Sequence, residues 1–394
     1  MRVLYLTNGF PFPLTSGYLR HYHLIRELAA WHRITLLSVV GPSFRGEHVE
    51  ALRPYTERVL TFRSAGRGRS QVGKALAWGR ATLLGQSPER AMRAAIRQLL
   101  AEERFDAVLF SGKETLTAID GLHTPPVVAD FTDAASQRLR GQIAVSGGFK
   151  RLALYGKLIR VRRLERRILA RAAHGLFASA RDRDAVVGGP HPAMTVVPNG
   201  VDTAYWQRRA PRLGQRTLVL TGAMNYAPNV DAALHLIRDI LPLVQREIPD
   251  ARALIVGHSP RPALVAEGQR PGVTVTGFVD DVRPYLEEAT VFVAPLRFGA
   301  GIQNKLLEAL AMELPVIASP LAAQGLCTED GAQPPLRVAS TPAEFAAAIC
   351  AELRARAADP APDAEARRFV TAHFDWRVSA RRVHEVLQKV VGEG

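Results

Sequence analysis

The chain has 394 residues, 47% hydrophobic and 22% charged, which describes a globular protein with more apolar material than one ordinary core absorbs. Two domains of similar size are expected. No apolar run approaches the roughly 18 residues needed to cross a bilayer, which excludes a membrane-spanning helix, and the formal charge of +14 points to phosphorylated substrates, anionic lipid or nucleic acid as partners.

RVLYLTN opens as a strand at Arg2, with no charged-then-apolar leader before it, so no signal peptide is expected. FPFPLTSG is a Pro- and Gly-rich loop, and YLRHYHLIRELAAW has helical spacing. That helix carries His21 and His23, which are either ordinary packed or surface histidines or groups that touch an acceptor. RITLLSVV returns as a strand, and AVLFSG, VVADFTD and HGLFASA are further buried strands with helical patterns between them. Such alternation means a parallel sheet covered on both faces.

From Arg138 to Arg171 there are eleven Lys and Arg residues against one acid, Glu165. Leu154, Leu158, Val161, Leu164 and Ile168 fall on one helix face, and Lys157, Arg160, Arg162, Arg163, Arg166 and Arg167 on the other. The basic side is either a solvated surface or an attachment to an anionic membrane, where each basic residue adds about 1 kcal/mol. No homeodomain, zinc-finger or RNA-binding signature occurs, so nucleic acid is not an expected partner.

VVPNGVD, residues 196–202, is a turn that reads as a domain hinge near Asn199. The second half repeats the scheme. TLVLTGA, ALIVGH, VTVTGF, TVFVAPL and PVIASP are strands, and residues 231–241, 281–288 and 302–312 are helices. The tail from Pro342 is helical and interrupted by ADPAPDAEA. The predicted fold class is α/β, two Rossmann-like doubly wound domains facing across a cleft at the carboxyl ends of their sheets. The expected limits are 1–198, 199–370, and a terminal helix, 371–394, returning to the first domain. The two cysteines, Cys327 and Cys350, have neither ligand nor disulfide spacing, which fits a reducing cytoplasm.

PLRFGAGIQNKLLEALAM, residues 295–312, carries the chemistry. Glycines between a strand and a helix let backbone N–H groups approach a phosphate, and the helix N-terminus adds partial positive charge. Arg297 precedes the turn and can fork onto phosphate oxygens. Lys305 lies in the first helical turn, and Glu308 shares its face three residues on. A carboxylate there would accept hydrogen bonds from sugar hydroxyls. The alternative is a tight turn followed by a surface ion pair. The loop is neither a dinucleotide fingerprint, because Asn304 stands at its third glycine, nor a P-loop.

In FPFPLTSG, VVPNGVD, LTGAMNYAPNVDA, TVTGFVDDVRPYL, the Gly-rich loop and FDWRVSARRV, in that order, the chain resembles glycosyltransferase family four (group 1), retaining enzymes of the GT-B architecture. It is similar above all to members acting in exopolysaccharide assembly. The resemblance implies that Arg297 and Lys305 bind a donor diphosphate and Glu308 the donor ribose, that Gly17 lets the donor phosphate or acceptor approach the backbone, and that Gly222 lines the phosphate site from the other side, with Asn225 in the same loop as Gly222. Backbone around Phe278 and Val279 would hold the base, and Gly301, Ile302 and Gln303 would flank the transferred sugar. Three positions depart from the family. Ala300 replaces the first Glu of an E-x7-E pair, the loop GAMNYAPN lacks the usual Arg and Lys, and Thr132 stands where a histidine often sits. Asp130 and Asp133 are nearby substitutes for that histidine, or else strand-end and turn residues.

The function implied is retaining transfer from a nucleoside-diphosphate sugar to a hydroxyl of a glycan, lipid-linked or small-molecule acceptor, without cofactor or metal. No Asp-x-Asp cluster is expected to hold a metal between phosphates. Closure over the hinge near Asn199 would exclude water. The alternatives are a sugar-nucleotide epimerase or hydrolase of the same fold, and a non-catalytic sugar-nucleotide-binding partner. The expected location is the cytoplasm, at the inner membrane face if the acceptor is lipid-linked.

Overall fold

The computed structural model describes residues 1–14, 18–64, 87–132, 134–144, 147–209, 215–299, 302–359 and 361–393. The chain divides into two compact units, Met1–Pro198 with Ser379–Gly394, and Asn199–Val378.

In the first unit the apolar runs of the sequence form the inner strands. The strands of this unit are β1 (Arg2–Thr7), β2 (Arg33–Val40), β3 (Arg58–Arg63), β4 (Ala107–Ser111), β5 (Val127–Asp130), β6 (His174–Phe177) and β7 (Met194–Val196). Their order is β3-β2-β1-β4-β5-β6-β7, with every pairing parallel. β1, β4 and β5 are almost wholly buried, as strands covered on both faces must be. β3 and β7 do not stand out as apolar runs, because an edge strand keeps one side wet; β3 is half exposed and carries arginine at both ends.

The second unit repeats the plan with β8 (Thr217–Thr221), β9 (Arg252–Val256), β10 (Val273–Val275), β11 (Val291–Ala294), β12 (Val316–Ala318) and β13 (Arg337–Val338). The order is β10-β9-β8-β11-β12-β13, again all parallel. The described residues thus hold two doubly wound α/β sheets with the same winding. The helix expected over 231–241 starts earlier, at Ala227, runs to His235, and passes through one π turn, Leu236–Ile240, into Leu241–Glu247.

The terminal segment joins the first unit later than 371. Val201 donates its N–H to the Phe374 carbonyl at 2.7 Å, and Thr203 Oγ1 donates to Asp375 Oδ2 at 2.7 Å, so 371–378 stay with the second unit. Gly200 packs so tightly on Trp376 that an added Cβ would lie 2.8 Å from its ring. From Ser379, whose hydroxyl donates to the Pro198 carbonyl at 2.8 Å, the helix Trp376–Gly392 belongs to the first unit.

The basic segment forms a single helix, Gly148–Arg171. Leu158 and Ile168 are buried, with Leu154, Val161 and Leu164 partly so, while Lys157, Arg160, Arg162, Arg163, Arg166 and Arg167 are exposed. Glu165 accepts the Ser136 N–H at 3.0 Å, and Arg167 pairs with Asp120 at 2.5 Å.

Candidate functional site

In a sheet wound this way the strand order reverses once, and the loops leaving the two strands at that point diverge and open a crevice. In the second unit the reversal lies between β8 and β11. Its walls are the loop after β8, starting at Gly222, and the loop after β11, starting at Pro295.

Gly222 is required by space. It sits at φ 145°, and an added Cβ would lie 2.6 Å from Asn229 Nδ2. Its N–H donates to Val256, and Asn229 Nδ2 donates to the Ala223 carbonyl at 3.1 Å, so the loop is pulled onto the start of helix Ala227–His235. Asn225 is exposed, and its carbonyl accepts from Arg261 at 3.1 Å.

Across the crevice, Gly299 lies at φ 153°, with an added Cβ 4.0 Å from Pro228 Cβ. Ile302 is buried, and Gln303 precedes helix Asn304–Ala311, whose buried face is Lys305, Leu306, Leu307, Ala309, Leu310 and Ala311. Asn304 accepts at Oδ1 from Asn199 at 3.2 Å.

Lys305 is the anomaly. Only 8% of it is exposed, and it lies in the first turn of its helix, where the dipole already presents positive charge. Burial lowers its pKa to about 8, partly offset by Glu308. Its Nζ donates to Asn229 Oδ1. Burial in turn raises half-buried Glu308 to about 7, with Lys305 opposing. Both groups are thus held in surroundings that disfavour their charged forms.

Arg297 is exposed but engaged. Its guanidinium forks onto Asp231, Nε to Oδ2 at 2.9 Å and Nη2 to Oδ1 at 2.5 Å. The pair raises the arginine pKa further above its ordinary value. Helix Ala227–His235 therefore holds both cations, Lys305 through neutral Asn229 and Arg297 through anionic Asp231. Sequence reading missed both residues. The available signal was two polar side chains, two positions apart, at the start of the helix after the Gly222 loop.

Phe278 and Val279 follow β10, at the same end of the sheet but two strands from the reversal; Phe278 is 74% exposed. Gly17, Asp133 and Gly301, with Ala300, lie outside the described residues.

Asp130 belongs to the first unit, 3% exposed. Its Oδ2 accepts from Arg20 Nε at 2.8 Å, and its Oδ1 accepts the N–H of Thr132, which sits at φ 56°. Arg20 also donates to the Val197 carbonyl. The carboxylate is committed to an ion pair and a strand-end turn. His21 and His23 are interior, 5% exposed each; His21 Nδ1 lies 3.1 Å from the Tyr5 hydroxyl, and burial lowers its pKa to about 4. One Asp-x-Asp triplet does occur, Asp182–Arg183–Asp184, contrary to the sequence reading. It lies in the first unit, where Asp182 accepts from Ser179 Oγ and the Ala134 N–H, and Asp184 pairs with Arg183.

Residues 215–354 match the family model for glycosyl transferases group 1. Among curated proteins, the phosphatidyl-myo-inositol mannosyltransferase of Mycobacterium tuberculosis is 31% identical over 213 residues, covering 50% of this chain and 54% of the relative. The Mycobacterium leprae protein of the same name is 30% identical over the same length. The chain spans about half the length of the curated relatives it matches. Among solved structures, Anabaena HepE in complex with UDP and glucose gives a TM-score of 0.65 at 14% identity, over 98% of this chain and 99% of that one. Sucrose-phosphate synthase from Thermosynechococcus elongatus gives 0.68 at 15%, over the whole of both chains. These likenesses identify the fold as GT-B.

Proposed function

We propose that this chain, whose residues 215–354 form a group 1 glycosyltransferase domain within a GT-B fold, transfers a sugar from a nucleoside diphosphate to an acceptor hydroxyl, with retention at the anomeric carbon. The observation that carries this reading is Lys305. A lysine in the first turn of a helix, buried, with its pKa lowered, opposes stability on two counts. An anion in the crevice reverses both.

When the bond from sugar to diphosphate breaks, negative charge grows on the leaving group. The Lys305 ammonium, the Arg297 guanidinium and the helix N-terminus are the fixed groups that stabilise it, and they supply this without a metal. The Gly222 loop lets backbone approach the phosphates, and Glu308 accepts from the donor ribose. Phe278 and Val279 are assigned to the base, and Ile302 and Gln303 to the transferred sugar. One donor group of this kind contributes about 3 kcal/mol to a transition state, so Lys305→Ala is expected to lose at least roughly a hundredfold in turnover. A thermal-shift panel of UDP-, GDP- and TDP-sugars checks binding first, since ligand at 100 times its Kd stabilises by about 2.7 kcal/mol. No shift with any donor, or unchanged turnover in Lys305→Ala, defeats the reading.

The acceptor class is proposed to be lipid-linked. The mycobacterial relatives' name, with its phosphatidyl-myo-inositol, supports this. So does the helix Gly148–Arg171. Leu152, Tyr155 and Ile159 are 68%, 44% and 52% exposed and fall on one stripe with Arg162, Arg163 and Arg166. Apolar side chains beside arginines suit an anionic bilayer, with the former at the acyl boundary and the latter among phosphates. The protein would then work at the inner face of the membrane. Reversing charge at Arg162 and Arg163 is expected to cut binding to phosphatidylglycerol vesicles at least tenfold, at about 1 kcal/mol per basic residue. Unchanged co-sedimentation would count against membrane attachment and leave the transferase reading standing.

A further inference from the structure

Resting on the donor site just proposed, the inference concerns an acid on its rim. Asp231 lies on helix Ala227–His235, and its carboxylate fills both arms of the Arg297 guanidinium, at 2.9 and 2.5 Å. A carboxylate beside a diphosphate site repels the ligand, so its presence needs a physical account. The forked geometry supplies one. Carboxylate and phosphate each present a pair of oxygens onto which a guanidinium can fork.

We infer that Asp231 stands in for the donor diphosphate, holding Arg297 before the sugar nucleotide binds and giving it up to phosphate oxygens when it does. The burial of the two partners makes the exchange feasible. Arg297 is 56% exposed in its side chain and Asp231 22%. Neither charge is locked in the interior, and a released Asp231 still reaches water. Exposed pairs of this kind are weak, equivalent to less than roughly fivefold in an equilibrium constant. The neighbouring cation is held in a different manner. Lys305 is tied to Asn229, a neutral amide that does not repel phosphate, and needs no exchange.

Two consequences follow for the reaction. Arg297 is kept near its working position before the donor arrives, which limits the ordering needed on binding. After transfer, Asp231 competes for the guanidinium again and speeds loss of the nucleoside diphosphate. Asp231 is therefore a positioning residue that tunes donor affinity and product release through Arg297.

The test uses the full chain with UDP, GDP and TDP as probes, by calorimetry for Kd and by stopped-flow displacement for the dissociation rate. Asp231→Asn keeps the shape and removes the charge. It is expected to tighten the preferred nucleotide about two- to fivefold and to slow its dissociation, while Asp231→Glu stays near wild type. In an Arg297→Ala background the gain should shrink to the relief of direct repulsion alone, because the residue that Asp231 holds is gone. Equal or weaker binding by Asp231→Asn overturns the inference, as does an undiminished gain in Arg297→Ala. A wild-type chain that binds none of the three probes overturns the donor site and this inference together, so the two failures are told apart.

Discussion

Among the described residues, each unit holds an arginine–aspartate pair near the reversal of its sheet, and the two pairs do opposite things. In the first unit Arg20 and Asp130 are 3% and 1% exposed in their side chains; Arg20 also donates to the Val197 carbonyl, and Asp130 accepts the Thr132 N–H. In the second, Arg297 and Asp231 are 56% and 22% exposed. The first pair is sealed and its charges are consumed by the fold. The second pair faces solvent on the rim of a crevice whose floor holds Lys305. Charge type is the same in both places. What separates a structural group from one available to a ligand is how far the pair is withdrawn from water.

The strongest way to break this comparison is to remove one partner from each pair. Asp130→Asn leaves Arg20 buried without its counter-charge and is expected to cost about 3–5 kcal/mol of stability, read as the denaturant midpoint. Arg297→Ala breaks a pair in contact with water and should move stability by no more than about 1 kcal/mol. If Asp130→Asn folded with wild-type stability and lost turnover, Asp130 would rejoin the catalytic candidates and the contrast would fail. Lys305→Ala sharpens the same contrast from the other side. It removes a charge that burial disfavours, so the roughly hundredfold fall in turnover should come without a lower melting temperature.

The inner strands were legible because a parallel strand covered on both faces must be a run such as RVLYL or TVFVA, and little else in the chain looks like that. β3 and β7 were not legible, since an edge strand needs apolar residues on one side only. At the site, Arg297, Lys305 and Glu308 could be found because one strand-turn-helix segment carries all three within twelve residues. Asn229 and Asp231 could not be found in that way. They touch Lys305 and Arg297 across 76 and 66 residues of chain, and only the pairing of β8 with β11 brings their loops to one crevice. Asp130 stayed open between its two readings for the opposite reason. An aspartate at a strand end reads alike whether its carboxylate faces a ligand or a buried arginine, and only the 110-residue contact with Arg20 decides.

The finest effect expected is in the pH dependence, and it bears on Lys305 and Glu308. The Lys305 pKa, about 8, lies below its ordinary value of 10.5, so between those limits the unfolded chain binds more protons and stability rises with pH. The Glu308 pKa, about 7, lies above its ordinary 4.5, so between those limits the folded chain binds more protons and stability falls as pH climbs. Their joint contribution has its minimum between pH 7 and 8, where both are charged and both are disfavoured by burial. Comparison of wild type with Lys305→Met/Glu308→Gln across pH 5 to 10 should isolate that trough as the difference between two denaturation curves. Nucleotide affinity should run the other way. Above pH 8 the ammonium is lost, and UDP or GDP binding should weaken roughly fivefold from pH 8 to 9. Arg297→Ala should keep this slope and Lys305→Ala should lose it. A slope that survives in Lys305→Ala would mean that another group carries the titrating charge, and that the buried lysine belongs with Arg20 among the groups that only hold the fold.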